Sequence, residues 1–487
     1  MLTRSLPAVP RAATWVYAVA ASACVGGLLL LARAGGPWFP LDDAYITLHN
    51  SQVLLGRPEW NFPGVPALLG ATSLLHLALL ALLSLALPAV QALQLLSVLA
   101  AAAYVTGIAR MALAAGCSTT QALQAALMAA LVSYTPYQLL NGLETGLAMA
   151  MLAWALAWSL DGHRSRCLPF LLGLLPFTRP DLAAATALLL AYRWYRHGRA
   201  PSQLGYDVCA VLLASAPWLA WQLASTGAWL PATVGAKEAF FASATLPWGV
   251  RSWAIVRALH PMTVGLVIGF LYFRRSTPGY FMFGFLLLFL AAYQWSLPYG
   301  LHYNEFRYLH VLAPMSFCCL LLAGEGAPHL RLAHAVLLAL TVLTLPVTVA
   351  RYFERQQVMA DLDAASRWAS ANLPRDARLA AHDIGYLSFS TQLQLIDLVG
   401  LKDPAAAQAH RRLTLPSTGR QRPQALSTIA QQAGATHLMA LVGDPFWEQT
   451  LSSLASQGWR MKLLRPALQK PGYEIYALSR EGVADAR

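Results

Sequence analysis

The chain is short of charge. Only 11% of its 487 residues are Asp, Glu, Lys or Arg, whereas 57% are hydrophobic, and the mean hydropathy is +0.49. A soluble globular protein carries about 25% charged residues. Because the deficit extends over most of the length, it excludes an ordinary soluble enzyme and predicts a polytopic α-helical membrane protein.

Several motifs of known chemistry are also missing. The six cysteines lie in or beside apolar runs without a CxxC pair, so they are interpreted as small apolar residues. There is no P-loop, no GxGxxG and no GxSxG, and no His, Cys or carboxylate spacing is typical of a zinc site. The net charge of +12 comes from short basic loops, which indicates contact with anionic membrane lipid and no nucleic acid.

The apolar runs predict about 11 transmembrane helices. Arg4 and Arg11 precede the first run, and "LARAGG" after it resembles a signal-peptide cleavage site, but the run is expected to remain as an uncleaved first helix. The run at 68–88 is expected to lie at the membrane surface, because this choice places the basic loops in the cytoplasm. The predicted spans are 13–33, 90–109, 120–134, 143–160, 168–178, 182–193, 205–223, 258–273, 279–296, 309–324 and 333–350.

This topology gives a multi-pass protein of the inner (plasma) membrane with its polar patches outside the cytoplasm. We expect a transmembrane catalytic domain over residues 1–351, with a first extracytoplasmic loop at about 34–89. From 352 to 487 the composition becomes that of a soluble protein and predicts an extracytoplasmic α/β domain. Its expected strands are "RLAAHDIGYLSF", "LQLIDLVGL", "THLMALV" and "YEIYAL", and "DPFWEQTLSSLASQG" is expected to be a helix.

Two adjacent acids, Asp42 and Asp43, begin the first polar patch, "LDDAYITLHN". Adjacent side chains point apart, so at most one of them can face a given reacting atom. That carboxylate could take a proton from an attacking sugar hydroxyl. The other could bind a hydroxyl, a metal or a backbone amide. The alternative for the pair is a helix N-cap.

Basic and polar residues from distant segments are predicted on the same face. Arg307, Arg179 and Lys237 could each bind a phosphate, although anchoring to lipid headgroups is the alternative for each, and Arg179 could pair locally with Asp181. His302 is more often a local hydrogen-bonding residue than a ligand. The remaining candidates for substrate binding are Glu144, Tyr308 and Tyr45.

Six segments in order resemble GT-C membrane glycosyltransferases, and most closely the group of the terminal β-(1→2)-arabinofuranosyltransferase. "DDAYITLHNSQVLLGRPEWNFPG" resembles the first extracytoplasmic loop of that group. The others are "LLGATSLLH", "NGLETGLAMAML", "FTRPDLAAATALLL", "GAWLPATVGAK" and "FRYLHVLAP". His49 replaces the Arg of the group's pattern, and "TSLLH" replaces its "TSPLW".

The resemblance implies a sugar donor linked to polyprenyl phosphate and transfer outside the cytoplasm to a glycan or protein acceptor. Arabinofuranose is the sugar that it implies. Asp42 and Asp43 would then be catalytic, with inversion at the anomeric carbon, and the basic residues would bind the donor phosphate. No cofactor is certain, since two neighbouring carboxylates could hold a divalent metal ion or none.

Two other classes of function remain open. A transporter or lipid flippase would place ionisable residues near mid-span and often shows repeated halves, neither of which is evident here. A non-enzymatic scaffold would bind envelope glycan through the C-terminal region alone.

Overall fold

A computed structural model describes residues 15–22, 26, 37–161, 165–259, 277–322 and 328–480. The predicted span 13–33 lies largely outside these residues, as does 258–273. Most of the described chain is helical. The helices are Asp43–Leu54, Leu74–Ser84, Ala89–Ala114, Thr119–Leu131, Thr135–Leu140, Thr145–Leu160, Cys167–Thr178, Ala183–Arg196, Pro201–Thr226, Ala232–Phe241, Trp248–Ala258, Thr277–Ser296, Tyr303–His310, Ala313–Leu322, Pro328–Asn372, Gly385–Ser390, Pro404–Ala409, Arg422–Gln432 and Gln449–Ala455.

Three of the described helices are long and apolar enough to cross a membrane: Ala89–Ala114, Pro201–Thr226 and Gly279–Ser296. The other apolar helices are shorter, so the total of about 11 spans stays a prediction. Leu74–Ser84 has 11 residues and is about 17 Å long at 1.5 Å per residue, whereas the hydrocarbon core is about 30 Å thick. The placement of the 68–88 run at the membrane surface stays a prediction, because Cys167–Thr178, which is predicted to cross, has only 12 residues itself.

Small residues allow the apolar helices to approach closely. Ala89–Ala114 packs against Thr145–Leu160, where a Cβ on Gly107 would lie 2.9 Å from the Cβ of Ala153. The indole of Trp154 donates to the carbonyl of Ala103 across the same contact at 2.9 Å. Such contacts are typical of helix association in lipid, where van der Waals packing replaces the hydrophobic effect.

The Pro328–Asn372 helix joins the apolar part of the chain to the C-terminal region. It runs without interruption through the division expected between 351 and 352, so the change in composition occurs inside a helix. It ends at Asn372, two residues before Pro374, because a residue that precedes proline is disfavoured in helical conformation.

The C-terminal region contains a five-stranded sheet of order β2-β1-β3-β5-β4. β2 and β3 pair with β1 in parallel, and β5 pairs with β3 and β4 in antiparallel fashion. The strands are β1 (Arg378–Ala381), β2 (Gln394–Asp397), β3 (His437–Val442), β4 (Trp459–Arg465) and β5 (Gly472–Arg480).

The strand predictions at β2, β3 and β5 are confirmed, and helix forms over part of 444–458, at Gln449–Ala455. The prediction of one strand over 378–389 is wrong beyond Ala381. The chain turns there and forms the Gly385–Ser390 helix instead. β4 was not predicted, because "WRMKLLR" has mixed polarity. Among the described strands it pairs with β5 alone, at the edge of the sheet.

The first loop and the C-terminal region are joined by buried polar contacts. Arg57 donates to the carbonyl of Phe389 at 2.9 Å, and the Asn61 amide donates to the carbonyls of Thr391 and Leu393. Nζ of the fully buried Lys402 donates to Glu59 at 2.9 Å. These contacts fix the position of the sheet relative to the acid pair.

Candidate functional site

A cavity of about 400 Å³ lies between the helical part and the C-terminal region. One wall, which we call the helical wall, is formed by residues before 309. The opposite wall, which we call the C-terminal wall, is formed by residues from 355 onward. The polar residues of the helical wall are Asp42, Asp43, Lys237, His302, Tyr303, Asn304, Glu305 and Tyr308, and those of the C-terminal wall are Arg355, His382, Asp383, Asp444 and Tyr473.

Asp43 occupies the first turn of the Asp43–Leu54 helix and contacts two cations. Its Oδ2 accepts hydrogen bonds from Lys237 Nζ at 3.2 Å and from Arg307 at 3.0 Å. The side chain keeps 26% of its exposure, so the carboxylate is accessible from the cavity. Three segments that are distant in sequence therefore meet at this carboxylate, as the predicted topology required.

The two cations keep Asp43 ionised. Burial acts to raise the pKa of Asp43, but Lys237 and Arg307 outweigh it and hold the pKa below its ordinary value. Burial likewise acts to lower the pKa of Lys237, and the nearby Asp43 carboxylate raises it instead. The site thus holds a carboxylate anion and an ammonium cation at neutral pH.

Glu144 and Arg179 lie behind this pair. Both oxygens of Glu144 accept from Arg307, at 2.7 and 2.8 Å, and Arg179 approaches the same carboxylate at 3.5 Å. Arg179 also donates to Asp181 at 2.6 Å, so the predicted local ion pair is present. The residues orient Arg307 and do not themselves line the cavity.

Tyr308 lies among the cations. Its hydroxyl accepts from Lys237 Nζ at 3.2 Å, and the guanidinium groups of Arg179 and Arg307 lie over its ring at 5.0 and 5.4 Å. Such cation–π contacts hold the three cations around one aromatic ring.

Asp42 faces the C-terminal region. Its two oxygens accept the backbone N–H groups of Gly385 and Tyr386, each at 2.7 Å, at the start of the Gly385–Ser390 helix. It makes no capping bond to its own helix. Burial and the neighbouring Asp383 carboxylate raise the pKa of Asp42 well above its ordinary value, although the two N–H groups oppose this. Of the roles considered for the second acid, the contact with backbone amides is the one observed.

Gly385 is required for this contact. A Cβ at that position would lie 2.2 Å from the Asp42 carbonyl oxygen and 2.8 Å from its Oδ2. No side chain fits at such distances, so glycine is what allows the backbone to approach the acid pair.

A short left-handed segment leads into Arg307. Asn304, Glu305 and Phe306 have φ values of 49°, 57° and 61°, a conformation that costs roughly 1–2 kcal/mol per residue for L-amino acids. The Gln138 amide donates to the carbonyls of Asn304 and Glu305 at 2.9 and 2.8 Å. The "YTPYQLLNG" segment thus holds the turn that positions Arg307.

The two other predicted residues differ in placement. His302 lines the cavity, and its Nε2 is 2.7 Å from the carbonyl of Ala254, in keeping with the local role considered for it. Tyr45 is buried away from the cavity. Its hydroxyl accepts from the N–H of Phe39 at 3.0 Å, and its ring packs edge-on against Tyr386. Tyr45 thus packs the first loop against the C-terminal region.

The polar residues of the C-terminal wall are not predicted from the sequence. Arg355 lies on the long helix, and His382 and Asp383 directly follow β1. The signal that could have revealed the last two is a charged pair after the end of a buried strand. It was hidden because a strand was predicted to continue through them.

The acid pair does not fit a divalent ion. Both oxygens of Asp42 accept backbone N–H groups, and Asp43 Oδ2 lies between two cations. Within the described part of the chain, no three His, Cys, Asp or Glu side chains are grouped so as to hold a metal.

The chain is similar to known proteins in two respects, a family match in the C-terminal region and a likeness of the whole fold to solved structures. Residues 349–476 match a family described only as a domain of unknown function (DUF8728). No curated protein is similar enough to count as a match. The chain is similar to the crystal structure of the Archaeoglobus fulgidus oligosaccharyltransferase in its apo form, with 11% identity and a TM-score of 0.50 over 97% of this chain and 75% of that chain.

Two further structures are similar at lower scores. They are ArnT from Cupriavidus metallidurans bound to undecaprenyl phosphate (12% identity, TM-score 0.49, 93% of this chain and 97% of that chain) and the arabinofuranosyltransferase AftD from Mycobacteria (15%, 0.43, 97% and 40%). The oligosaccharyltransferase match confirms the resemblance to GT-C membrane glycosyltransferases as a likeness of fold. Identities this low show the fold and leave the reaction to be argued from the site.

Proposed function

We propose that this protein is an inverting membrane glycosyltransferase that takes its sugar from a polyprenyl-phosphate donor and transfers it to an acceptor hydroxyl outside the cytoplasm. The observation that carries the proposal is the meeting of Lys237 and Arg307 at the Asp43 carboxylate. Asp43 and Lys237 line the cavity, and Arg307 lies directly behind Asp43. A transferase of this kind needs a base for the acceptor and cations for the leaving phosphate in one place. The lipid tail of the donor would remain in the bilayer.

Asp43 is the proposed base. The acceptor oxygen attacks the anomeric carbon from the face opposite the phosphate, and its proton passes to the Asp43 carboxylate. The bond between the anomeric carbon and the phosphate oxygen breaks, and its electron pair leaves with the phosphate. General bases of this kind contribute typically 10²–10⁴-fold to a rate.

The cations serve the leaving group, whose charge changes from about −1 to −2. Lys237 has three N–H donors, of which one contacts Asp43 and one Tyr308, so a third is left for a phosphate oxygen. Nε of the buried Arg307 has no hydrogen-bond partner among the residues that the structure describes. Donors aimed at developing charge typically contribute about 10²–10³-fold each.

The resemblance of the segments around these residues supports a polyprenyl-phosphate donor, and it makes arabinofuranose the first sugar to test. Placement in the inner membrane, with the cavity on the extracytoplasmic face, belongs to the same proposal. The excess of basic residues in the opposite loops supports it.

The test uses the full chain in lipid nanodiscs with polyprenyl-phosphate arabinofuranose and donors bearing other sugars. We expect Asp43→Asn to lower kcat by about 10²–10⁴-fold. Glu354→Gln is the matched control, because Glu354 is exposed on the long helix and pairs only with Arg351 among the residues that the structure describes. Full activity in a folded Asp43→Asn variant would refute the assignment of the base. Movement of labelled donor across the bilayer without any covalent product would favour the transporter.

A further inference from the structure

The chain leaves the neighbouring parallel strands β1 and β3 in opposite directions across the C-terminal sheet. From β1 the chain passes through the Gly385–Ser390 helix to β2 on one side, whereas from β3 it passes through Gln449–Ala455 to β4 on the other side. β1 and β3 are neighbours. Their carboxyl ends therefore form a topological switch point, which is where open α/β sheets bind ligands.

This switch point opens into the cavity that contains Asp43. His382 and Asp383 follow β1, Asp444 follows β3, and all three line the cavity. Asp444 uses its Oδ1 to accept the N–H groups of Phe446 and Trp447, which fixes the loop after β3. The C-terminal wall is thus built at the part of the sheet where a ligand site is expected.

His382 and Arg355 of this wall differ in how they are held. The side chain of His382 is 1% exposed, and its Nε2 lies 3.0 Å from the Asp383 carboxylate. Its ring stacks on Trp447 at 3.9 Å, so it is held in place by packing. Arg355, half-buried in the same wall, makes no hydrogen bond or ion pair with any residue that the structure describes.

Asp383 is held from one side only. Its Oδ2 accepts from the Tyr473 hydroxyl and contacts His382, whereas Oδ1 makes no hydrogen bond or ion pair with the described residues. Asp383 lines the same cavity as Asp42 and Asp43. A group bound by Asp383 would therefore share this cavity with the proposed base.

We propose that the C-terminal wall is the acceptor subsite and that its ligand is a saccharide, with Asp383 accepting from, and Arg355 donating to, sugar hydroxyls. This inference rests on the proposed function, which it deepens by naming the acceptor class. A hydroxyl is both donor and acceptor, so a free carboxylate oxygen and an unpaired guanidinium are its complementary partners. Apolar side chains between them, among them Val358, Met359 and Leu441, suit the C–H faces of a sugar ring.

The size of the cavity agrees with such a ligand. Sites for small molecules are clefts of about 300–1,000 Å³ with few polar groups on a mostly apolar lining, and this cavity of about 400 Å³ must also hold the donor headgroup. The space left for the acceptor suits the end of a glycan chain.

The experiment measures binding without donor, by saturation-transfer NMR on the full chain in nanodiscs. The probes are methyl glycosides and trisaccharides of arabinofuranose, mannose and glucose, and a short peptide carrying Asn-X-Thr. Asp383→Asn and Arg355→Gln are each expected to weaken saccharide binding about tenfold or more, because each removes a hydrogen bond to a charged group. Glu354→Gln and Arg351→Gln, in an exposed ion pair on the long helix, are the matched controls.

A transfer assay separates acceptor from donor. We expect both variants to raise KM for the acceptor while KM for the lipid-linked donor stays within twofold. A rise in donor KM for Arg355→Gln, binding of the peptide in place of saccharides, or no saccharide binding to the unaltered chain would each overturn the proposal. Asp43→Asn should lose transfer but retain saccharide binding. Transfer by this variant therefore tests the proposed reaction, whereas saccharide binding tests the proposed subsite.

Discussion

The two walls of the cavity differ in how their charges are paired. At the helical wall, Lys237 and Arg307 both contact Asp43, and Arg307 is further held by Glu144. At the C-terminal wall, Arg355 makes no hydrogen bond or ion pair with a described residue, and Oδ1 of Asp383 accepts none from these residues either. Charges that are paired in the resting protein are fixed in position, so they can stabilise the charge that develops in a transition state. Unpaired polar groups gain their partners only when a ligand binds.

The largest expected contrast is in stability. Arg307→Met leaves the buried Glu144 carboxylate with Arg179 alone, at 3.5 Å, and should lower the free energy of unfolding by about 3–5 kcal/mol. Arg355→Met breaks no hydrogen bond or ion pair with a described residue and should change the free energy of unfolding by less than about 0.5 kcal/mol. Unfolding in an SDS titration of the full chain measures both. Equal losses in the two variants would show that the walls are not paired differently.

A smaller effect is expected where the walls meet, at Asp42. In Asp42→Asn only one oxygen remains to accept the N–H groups of Gly385 and Tyr386, so one buried donor loses its partner at a cost of about 1–3 kcal/mol. Gly385→Ala should act at the same contact, since its Cβ would displace Asp42. Hydrogen exchange at those two amides, with Glu354→Gln as control, reports the contact directly. Unchanged protection in both variants would show that it contributes nothing to docking.

The smallest expected effect is that of pH on transfer. Lys237 and Arg307 lower the pKa of Asp43, so its carboxylate stays ionised until the pH falls below the ordinary Asp value of about 3.9. Any stability that the ion pairs contribute persists over the same range and is lost below it. On the acid side, kcat/KM should therefore be flat between pH 7 and pH 5. The pKa of Asp42 is raised, so if Asp42 were the base, activity would begin to fall at a higher pH than if Asp43 were. The profile thus distinguishes the two adjacent acids.

Sequence reasoning reached the helical wall because topology alone brings its residues to one face. Asp43, Lys237, Arg307 and Tyr308 lie between predicted spans, and the basic loops predict that these segments share one side of the membrane. Alternating apolar residues likewise indicated β3 and β5. These features depend on local composition and on the bilayer, both of which a sequence records.

The C-terminal wall depends on contacts between distant segments. Asp42 bonds to backbone groups more than 340 positions away, and a backbone N–H has no signature in sequence. Nothing local separates Asp42 from Asp43 either, since only the position of the Gly385–Ser390 helix gives them different partners. The left-handed turn at 304–306 is similarly imposed by Gln138, because none of its residues is a glycine.

The unbroken Pro328–Asn372 helix has a consequence for engineering the protein. Each residue of an α-helix advances the chain by 100° and 1.5 Å, so one residue inserted before Arg355 would rotate that side chain away from the cavity and shift the whole sheet relative to the first loop. Exchange of residues 349–476 between relatives therefore requires a junction that preserves helical phase. A graft joined out of phase would separate the acceptor from the lipid-linked sugar even if both halves folded correctly.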